Sequence, residues 1–324
     1  MNSIQSKPLF ILIALLAIGL FQSRAATDDP APAVSQAPQE KTVSPYPFEL
    51  LPKAFQKHPV LAISVITDMT AEGKKCPPPT SGNPCYYYCH SSGYHQEGQG
   101  ASEEGTVSDK NMLNWVQRAL AAQNYLPGNK EHPATLVLFF FWGVHSKLDL
   151  NPTADGDNSF RDVGHHNLLS RAALVGGAGF AKELAKAIEQ RDLSSGGPTW
   201  SFLDPVYRFA NRDALTYNLM EQVFDDCYYV VISAFDAFAF AQGEKKLLWR
   251  TKMSTPAQGV SLAETASALV ASGGPFLGRE MLHASIVGKR ISRSGTVELG
   301  ELKVIKLDEK LPEKQNQETP SGKK

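Results

Sequence analysis

The middle of the chain carries apolar runs of two distinct periods. PVLAISVI (Pro59–Ile66) is apolar at nearly every position and has strand length. DKNMLNWVQRALAAQNY follows Ser108, and in it Met112, Val116, Ala119 and Leu120 recur at helical spacing, with Trp115 beside them. Ser108 is a residue type that caps helix N-termini. Pro127-Gly128 then breaks the chain. ATLVLFFFWGVHS (Ala134–Ser146) is apolar on both faces, which predicts a central strand covered on both sides. Strand, helix and strand in that order predict a right-handed parallel crossover.

Residues 147–224 have a different texture. A loop, NPTADGDNS, precedes HNLLSRAAL, AKELAKAIEQR and DPVYRFANRDALTYNLMEQVF, all with helical character. They predict a mainly helical insertion over 147–225. Strand character returns at CYYVVISAFDAFAF (Cys227–Phe240). The turn QGEKK leads from it into LLWRTKMS (Leu247–Ser254), the pattern of a β-hairpin. Ser261 and Glu264 have the spacing of a capping box, opening a helix that stops at Gly273-Gly274-Pro275. TVELGELKVI (Thr296–Ile305) reads as a final edge strand. The expected fold class is α/β: a two-layer sandwich, a mixed β-sheet with helices packed on it, plus the helical insertion.

The ends read differently again. Lys7 precedes an apolar run, PLFILIALLAIGLF, and small residues at Ser23 and Ala25 suit cleavage after Ala25. Residues 1–25 therefore read as a secretory signal peptide, too short for a membrane span. Residues 26–52 read as a Pro- and Ala-rich linker, 53–306 as a single α/β domain and 307–324 as a disordered tail. The rest of the chain offers no run long enough to cross a bilayer, so no transmembrane span is expected in the mature chain. The net charge is −1, and it becomes −3 once Lys7 and Arg24 leave with the signal peptide. No basic excess is available to attract nucleic acid. Export implies a periplasmic or secreted protein and an oxidising setting.

NWVQRALAAQNYLPGNKEHPATLVLFFF and YYVVISAFDAFAFAQGEKKLLWRTKMSTPAQGVSLAETASALV carry a resemblance. Helix, Pro-Gly break and strand, then strand, turn, Trp-plus-basic strand and helix, resemble an uncharacterised domain family of bacterial periplasmic envelope lipoproteins. That family is loosely similar to the N-terminal domain of the TolB envelope protein. The resemblance covers about residues 55–66, 108–146 and 227–275. It implies a two-layer α/β sandwich and no known catalytic residues. This chain departs from it in lacking a lipidated cysteine and in carrying both a Cys-rich stretch and the helical insertion.

Candidate chemistry concentrates in that stretch, KKCPPPTSGNPCYYYCHSSGYH (residues 74–95), read as a loop within 67–107. Four cysteines in an exported chain, Cys76, Cys85, Cys89 and Cys227, suit two disulfides. Cys76–Cys85 would close a ten-residue loop, worth roughly 2.5–3 kcal/mol on the chain-entropy model. Cys89–Cys227 would then pin that loop to the sheet, although four cysteines allow three connectivities. A Cys3His zinc site from Cys76, Cys85, Cys89 and either His90 or His95 is one alternative, its spacing lacking the usual paired C-x2-C, and a loop of mainly unpaired cysteines is the other. The tyrosines at 86–88 and Tyr94 give the stretch aromatic surface suited to a partner.

Other candidates have plainer readings. LVGGAGFAKELA (Leu174–Ala185) imitates a phosphate-cradling turn, but Lys182 stands where a dinucleotide fingerprint needs a small residue, and no second strand follows. His165-His166 are adjacent on a helix and point apart. Asp236 is the lone charge in an apolar strand, and an ion pair with Arg250 across the hairpin is expected to neutralise it. Together these features predict an exported, non-enzymatic binding or assembly module without a cofactor. Its expected partner is an envelope protein or a cell-wall component. The competing expectation is a secreted hydrolase or metal-dependent enzyme with its site near the Cys/His-rich loop and His165-His166.

Overall fold

The structure is a computed structural model that describes residues 50–97, 107–146, 158–193 and 202–293; for Asn158–Gly164 it gives the backbone only. The signal peptide, nearly all of the linker, the tail and the strand expected at Thr296–Ile305 lie outside the described residues.

Seven strands form one mixed sheet, with helices packed against it. The strands are β1 (Val60–Met69), β2 (Cys85–Glu97), β3 (Tyr125–Pro127), β4 (Leu136–His145), β5 (Cys227–Asp236), β6 (Leu247–Pro256) and β7 (Ser285–Arg290). Their order across the sheet is β3-β2-β4-β5-β6-β1-β7. β2 runs parallel to β3 and β4; the remaining neighbours are antiparallel. The helices are α1 (Asp109–Ala121), α2 (Asn158–Val175), α3 (Gly177–Leu193), α4 (Pro205–Ala210), α5 (Ala214–Phe224), α6 (Ala237–Ala241) and α7 (Leu262–Gly273).

The helix signals are realised where they were read. Ser108 accepts a hydrogen bond from the Asn111 backbone N–H and caps α1, which buries Met112, Val116, Ala119 and Leu120. Ser261 and Glu264 form the reciprocal capping box of α7. α1 and α7 pack on one face of the sheet, around Leu61, Ile63 and Val65 of β1, Leu138, Phe140 and Trp142 of β4, and Val230 and Ile232 of β5. The insertion folds into α2–α5 and builds a second core on the opposite face. There Ala172, Val175, Leu184, Leu219 and Val223 pack with Ile66. Helices thus lie on both faces of the β1 side of the sheet.

Three expectations are corrected. The parallel crossover begins from β2, through α1 and β3 to β4, and not from β1, which sits beyond β6. The stretch read as a loop becomes a strand from Cys85 onward, and its first part is a tight turn in which Thr80 and Asn83 exchange both backbone hydrogen bonds. CYYYCHSSGYHQE lacks an apolar alternation because its core-facing positions are Cys85, Tyr87 and Cys89 and its exposed ones Tyr88 and His90, so side chains with polar atoms stand on both faces.

The third correction concerns Asp236. β5 and β6 do pair as antiparallel neighbours, and β5 is internal. The strand stops at Asp236, however, and the connection holds the short helix α6. The Asp236 Oδ1 accepts from the Ala239 N–H at 2.8 Å and caps that helix, so it needs no cation. Arg250 instead donates from Nε to the Ser233 hydroxyl at 2.9 Å. A half-buried carboxylate–ammonium pair of this region is Asp68–Lys252, 2.7 Å apart, with Lys252 also donating to the Ala173 carbonyl.

The glycine cluster has the same explanation. Gly177 adopts φ +86° at the α2–α3 break, and a Cβ there would meet Ile66 at 2.7 Å. The Ala178 N–H at the start of α3 donates to Asp68 Oδ1 at 3.2 Å. The chain's own carboxylate stands where a bound phosphate would.

Candidate binding face

Residues opposite one another on neighbouring strands share a face, so the registers define rows that run across the sheet. One row is His90, Phe139, Ser233, Arg250 and Asp68. Its two ends are treated differently. At Asp68 the helical insertion covers the sheet; at His90 the side chain is exposed. Tyr88, Val137 and Phe235 form the neighbouring row, and Tyr88 is 59% exposed.

The uncovered part of this face is aromatic. Phe139 is the hub: its ring centroid lies 5.4 Å from that of His90, 5.7 Å from Phe235 and 5.5 Å from Phe240. Phe141 sits next along β4, 5.2 Å from His95 and 6.1 Å from Tyr229. Tyr86 stacks on His132 at 4.7 Å. Phe238, two residues before Phe240 on α6, is 75% exposed. Most contacts are edge-on or tilted, the geometry the ring quadrupole favours. The local sequence explains this face. β4 is apolar up to its closing His145, which suits burial on both sides, yet among the described residues only its α1/α7 side receives full helical cover. Val137, Phe139 and Phe141 on the other side remain half-buried.

The sequence-derived metal set does not converge. Cys85 and Cys89 pack against the core on the α1/α7 side, whereas His90 and His95 stand on the opposite face of the same strand. Among the described residues, no group of three or more His, Cys, Asp or Glu is placed to hold a metal ion. His165 approaches Asp192 at 3.9 Å, away from the Cys-rich stretch.

No disulfide joins Cys76, Cys85, Cys89 and Cys227; all four thiols are free. Cys76 donates to the Glu72 carbonyl, and Cys85 approaches the Thr135 hydroxyl at 3.4 Å. Cys85 and Cys89 lie four residues apart on one strand, about 13 Å. The Cys89–Cys227 pairing fails on strand direction. β5 runs in the same sense as β1, so Cys227 lies at the end where β1 starts, whereas the Cys-rich stretch follows the end of β1. Cys89 pairs with Leu138 and Cys227 with His145, an offset of about 23 Å along β4 against the 7 Å limit for bridged Cα atoms.

Sequence reasoning missed a second polar cluster at that far end. Glu97, His145 and Cys227 occupy one row, with Arg171 of α2 above them. Arg171 is buried, and its guanidinium donates to three carbonyls: Val223 at 2.6 Å, Ser146 at 2.7 Å and Asp225. Its Nη1 also faces His145 Nδ1 at 3.4 Å, a nitrogen equally 3.4 Å from the Ser146 carbonyl, while His145 Nε2 stands 3.2 Å from Glu97. Burial, and then the Arg171 charge, lower the His145 pKa. Burial pushes the Cys227 thiol up to about 12. Nucleophile, base and carboxylate types stand in a row here, but the thiol stays protonated and fully buried, so the arrangement is structural. The available signal was His145 closing an apolar strand and Arg171 within the apolar run LLSRAAL.

Comparison with known proteins adds no functional identity. No family model matches the chain, and no curated relative matches it significantly. Among solved structures, a PDZ domain protein from Parabacteroides distasonis aligns at 12% identity and TM-score 0.32, over 73% of this chain. The chain spans 39% of that protein's length. A dodecameric PelC variant from Paraburkholderia phytofirmans aligns at 8% identity and TM-score 0.26, over 67% of this chain and 99% of that one. At these scores neither likeness bears on function, and the chain is characterised by its own mixed sheet and by the aromatic face that the described helices leave partly exposed.

Proposed function

We propose that the chain is an exported, non-enzymatic binding or assembly module of the bacterial envelope. Its partner, an envelope protein or a cell-wall component, meets the aromatic face of β2, β4 and β5. One observation carries this reading. The same sheet face that the α2–α5 insertion covers over β1 and β6 receives none of those helices over β2 and β4 among the described residues, and there Tyr88, His90, Phe139, Phe235 and Phe240 gather. A contiguous exposed aromatic patch marks an interaction surface, because the hydrophobic effect favours covering it and rigid rings lose little entropy when covered. None of these five side chains carries a permanent charge, so stacking and apolar burial, with hydrogen bonds from the Tyr88 hydroxyl and the His90 ring, supply the recognition.

The test uses a Tyr88→Ser, Phe238→Ser double variant. Both side chains are mostly exposed, so the fold and Tm should change little. Mature wild-type protein should retain a specific envelope component on an affinity column, and the variant should lose it. Equal retention of that component by both proteins would overturn the assignment of this face.

A further inference from the structure

The two edges of the sheet are not alike. β7, at one edge, ends in Lys289 and Arg290, the kind of charge that discourages another strand from adding on. The other edge belongs to β3, but β3 reaches only Cys85, Tyr86 and Tyr87 of the thirteen-residue β2. From Tyr88 onward no strand among the described residues lies on that side of β2. Between Cys85 and Gln96 there is no Lys, Arg, Asp, Glu or Pro, so charge and proline do not protect the edge up to the register shift after Ser91. Regular pairing with β4 continues to Ser91, after which the register shifts and Gly93 turns at φ +83°.

The direction of the open groups follows from the existing bonds. The Tyr86 carbonyl accepts from Thr135 on the β4 side, and the Tyr87 carbonyl accepts from Gly128 on the β3 side. Strand alternation then turns the N–H and C=O of Cys89 and Ser91 outward. We propose that a second copy of this chain pairs with this edge, β2 against β2 in antiparallel sense about a two-fold axis through His90. That register sets Cys89 opposite the partner's Ser91 and Ser91 opposite the partner's Cys89. Both are hydrogen-bonded pairs, so four backbone bonds form.

A second copy is the occupant because the strand residues Tyr88–Ser91 are uncharged and, about a two-fold axis, each outward N–H and C=O meets its complement in the partner; the nearby charge is Asp109, whose carboxylate lies 3.5 Å from the Ser91 hydroxyl. The pairing also joins the two aromatic faces, His90 against the partner's His90 with Phe139 behind each. It therefore rests on, and extends, the reading of this side as the partner-facing side.

Sedimentation of the mature chain alone is the test. The wild type should pass from monomer to dimer at micromolar concentration. Two variants separate the mechanism from misfolding. His90→Lys puts like charges at the axis on an exposed position, and Ser91→Pro removes an outward N–H that an edge strand can lose. Each should raise the dimer dissociation constant at least about tenfold with unchanged circular dichroism. Amide exchange at Cys89 and Ser91 should slow as concentration rises. A wild type that stays monomeric to about 100 µM overturns the proposal. So does a dimer indifferent to both variants. A monomer that still loses its envelope component with the Tyr88→Ser, Phe238→Ser variant would remove the self-pairing and leave the binding face standing.

Discussion

Replacing Arg171 with Met tests how the helical insertion is held to the sheet. The guanidinium is buried and answers three carbonyls: two at the end of α5 and one just past the end of β4. Among the described residues no carboxylate forms an ion pair with it, and the α5 C-terminus supplies the negative end of the local field. Each charge-assisted hydrogen bond has a net value of about 1.5–3 kcal/mol, but removing a buried cation also removes its desolvation cost. Methionine fills similar volume and takes the donor from the carbonyls of buried Val223 and Ser146 and of the more exposed Asp225. A net loss of about 3 kcal/mol follows, or roughly 6–12 °C in Tm for a domain of this size. Urea denaturation followed by far-ultraviolet circular dichroism reads it as a lower midpoint at unchanged slope. Arg171→Lys keeps the charge without the fork and should recover only part of the loss. A Met variant within about 0.5 kcal/mol of the parent would refute the idea that this cluster docks the insertion.

His145 should make stability depend on pH. Burial and Arg171 favour its neutral form in the folded state, so its contribution is complete above the ordinary value of 6.5. It is lost as pH falls from there through the lower folded value, because the unfolded chain then takes up the proton first; His145→Gln should flatten the denaturation midpoint against pH in that window. Gly177→Ala forces a Cβ onto φ +86° and against Ile66, which should cost about 2 kcal/mol by urea titration. In reduced native protein, maleimide labelling followed by mass spectrometry should modify exposed Cys76 first and Cys227 last, since Cys227 is buried and its thiol is pushed up to about 12. Early modification of Cys227 would contradict its place in the sheet.

The sequence is a good guide wherever one face of an element is buried and the other wet, or both are buried. β1, β4, β5, β6, α1 and α7 announce themselves because their apolar period matches their geometry. β2 does not: it lies near the edge, so its two faces carry Tyr, His, Ser and Cys in no apolar rhythm. α6 escapes notice because DAFAF continues the apolar run of β5, and only the capping bond from Asp236 reveals the stop. Long-range polar pairs are the least legible. Asp68 and Lys252 are 184 residues apart, and Arg293 ties Glu264 to the carbonyls of Lys53 and Ala54 across more than 200 positions. Such partners are chosen by strand order, which local pattern does not encode. The binding face shares that limit. Its aromatics are visible as residues, but their exposure depends on where the α2–α5 insertion comes to rest.

Site-specific photocross-linking in cells bears most directly on the proposed binding face. A photoreactive phenylalanine analogue replaces Tyr88 or Phe238 on the aromatic face, or the exposed Glu189 of α3 as a control. The expected result is a discrete adduct from positions 88 and 238 and none from 189. Adducts from 189 with none from 88 or 238 would contradict the assignment and place the interaction on the helical insertion.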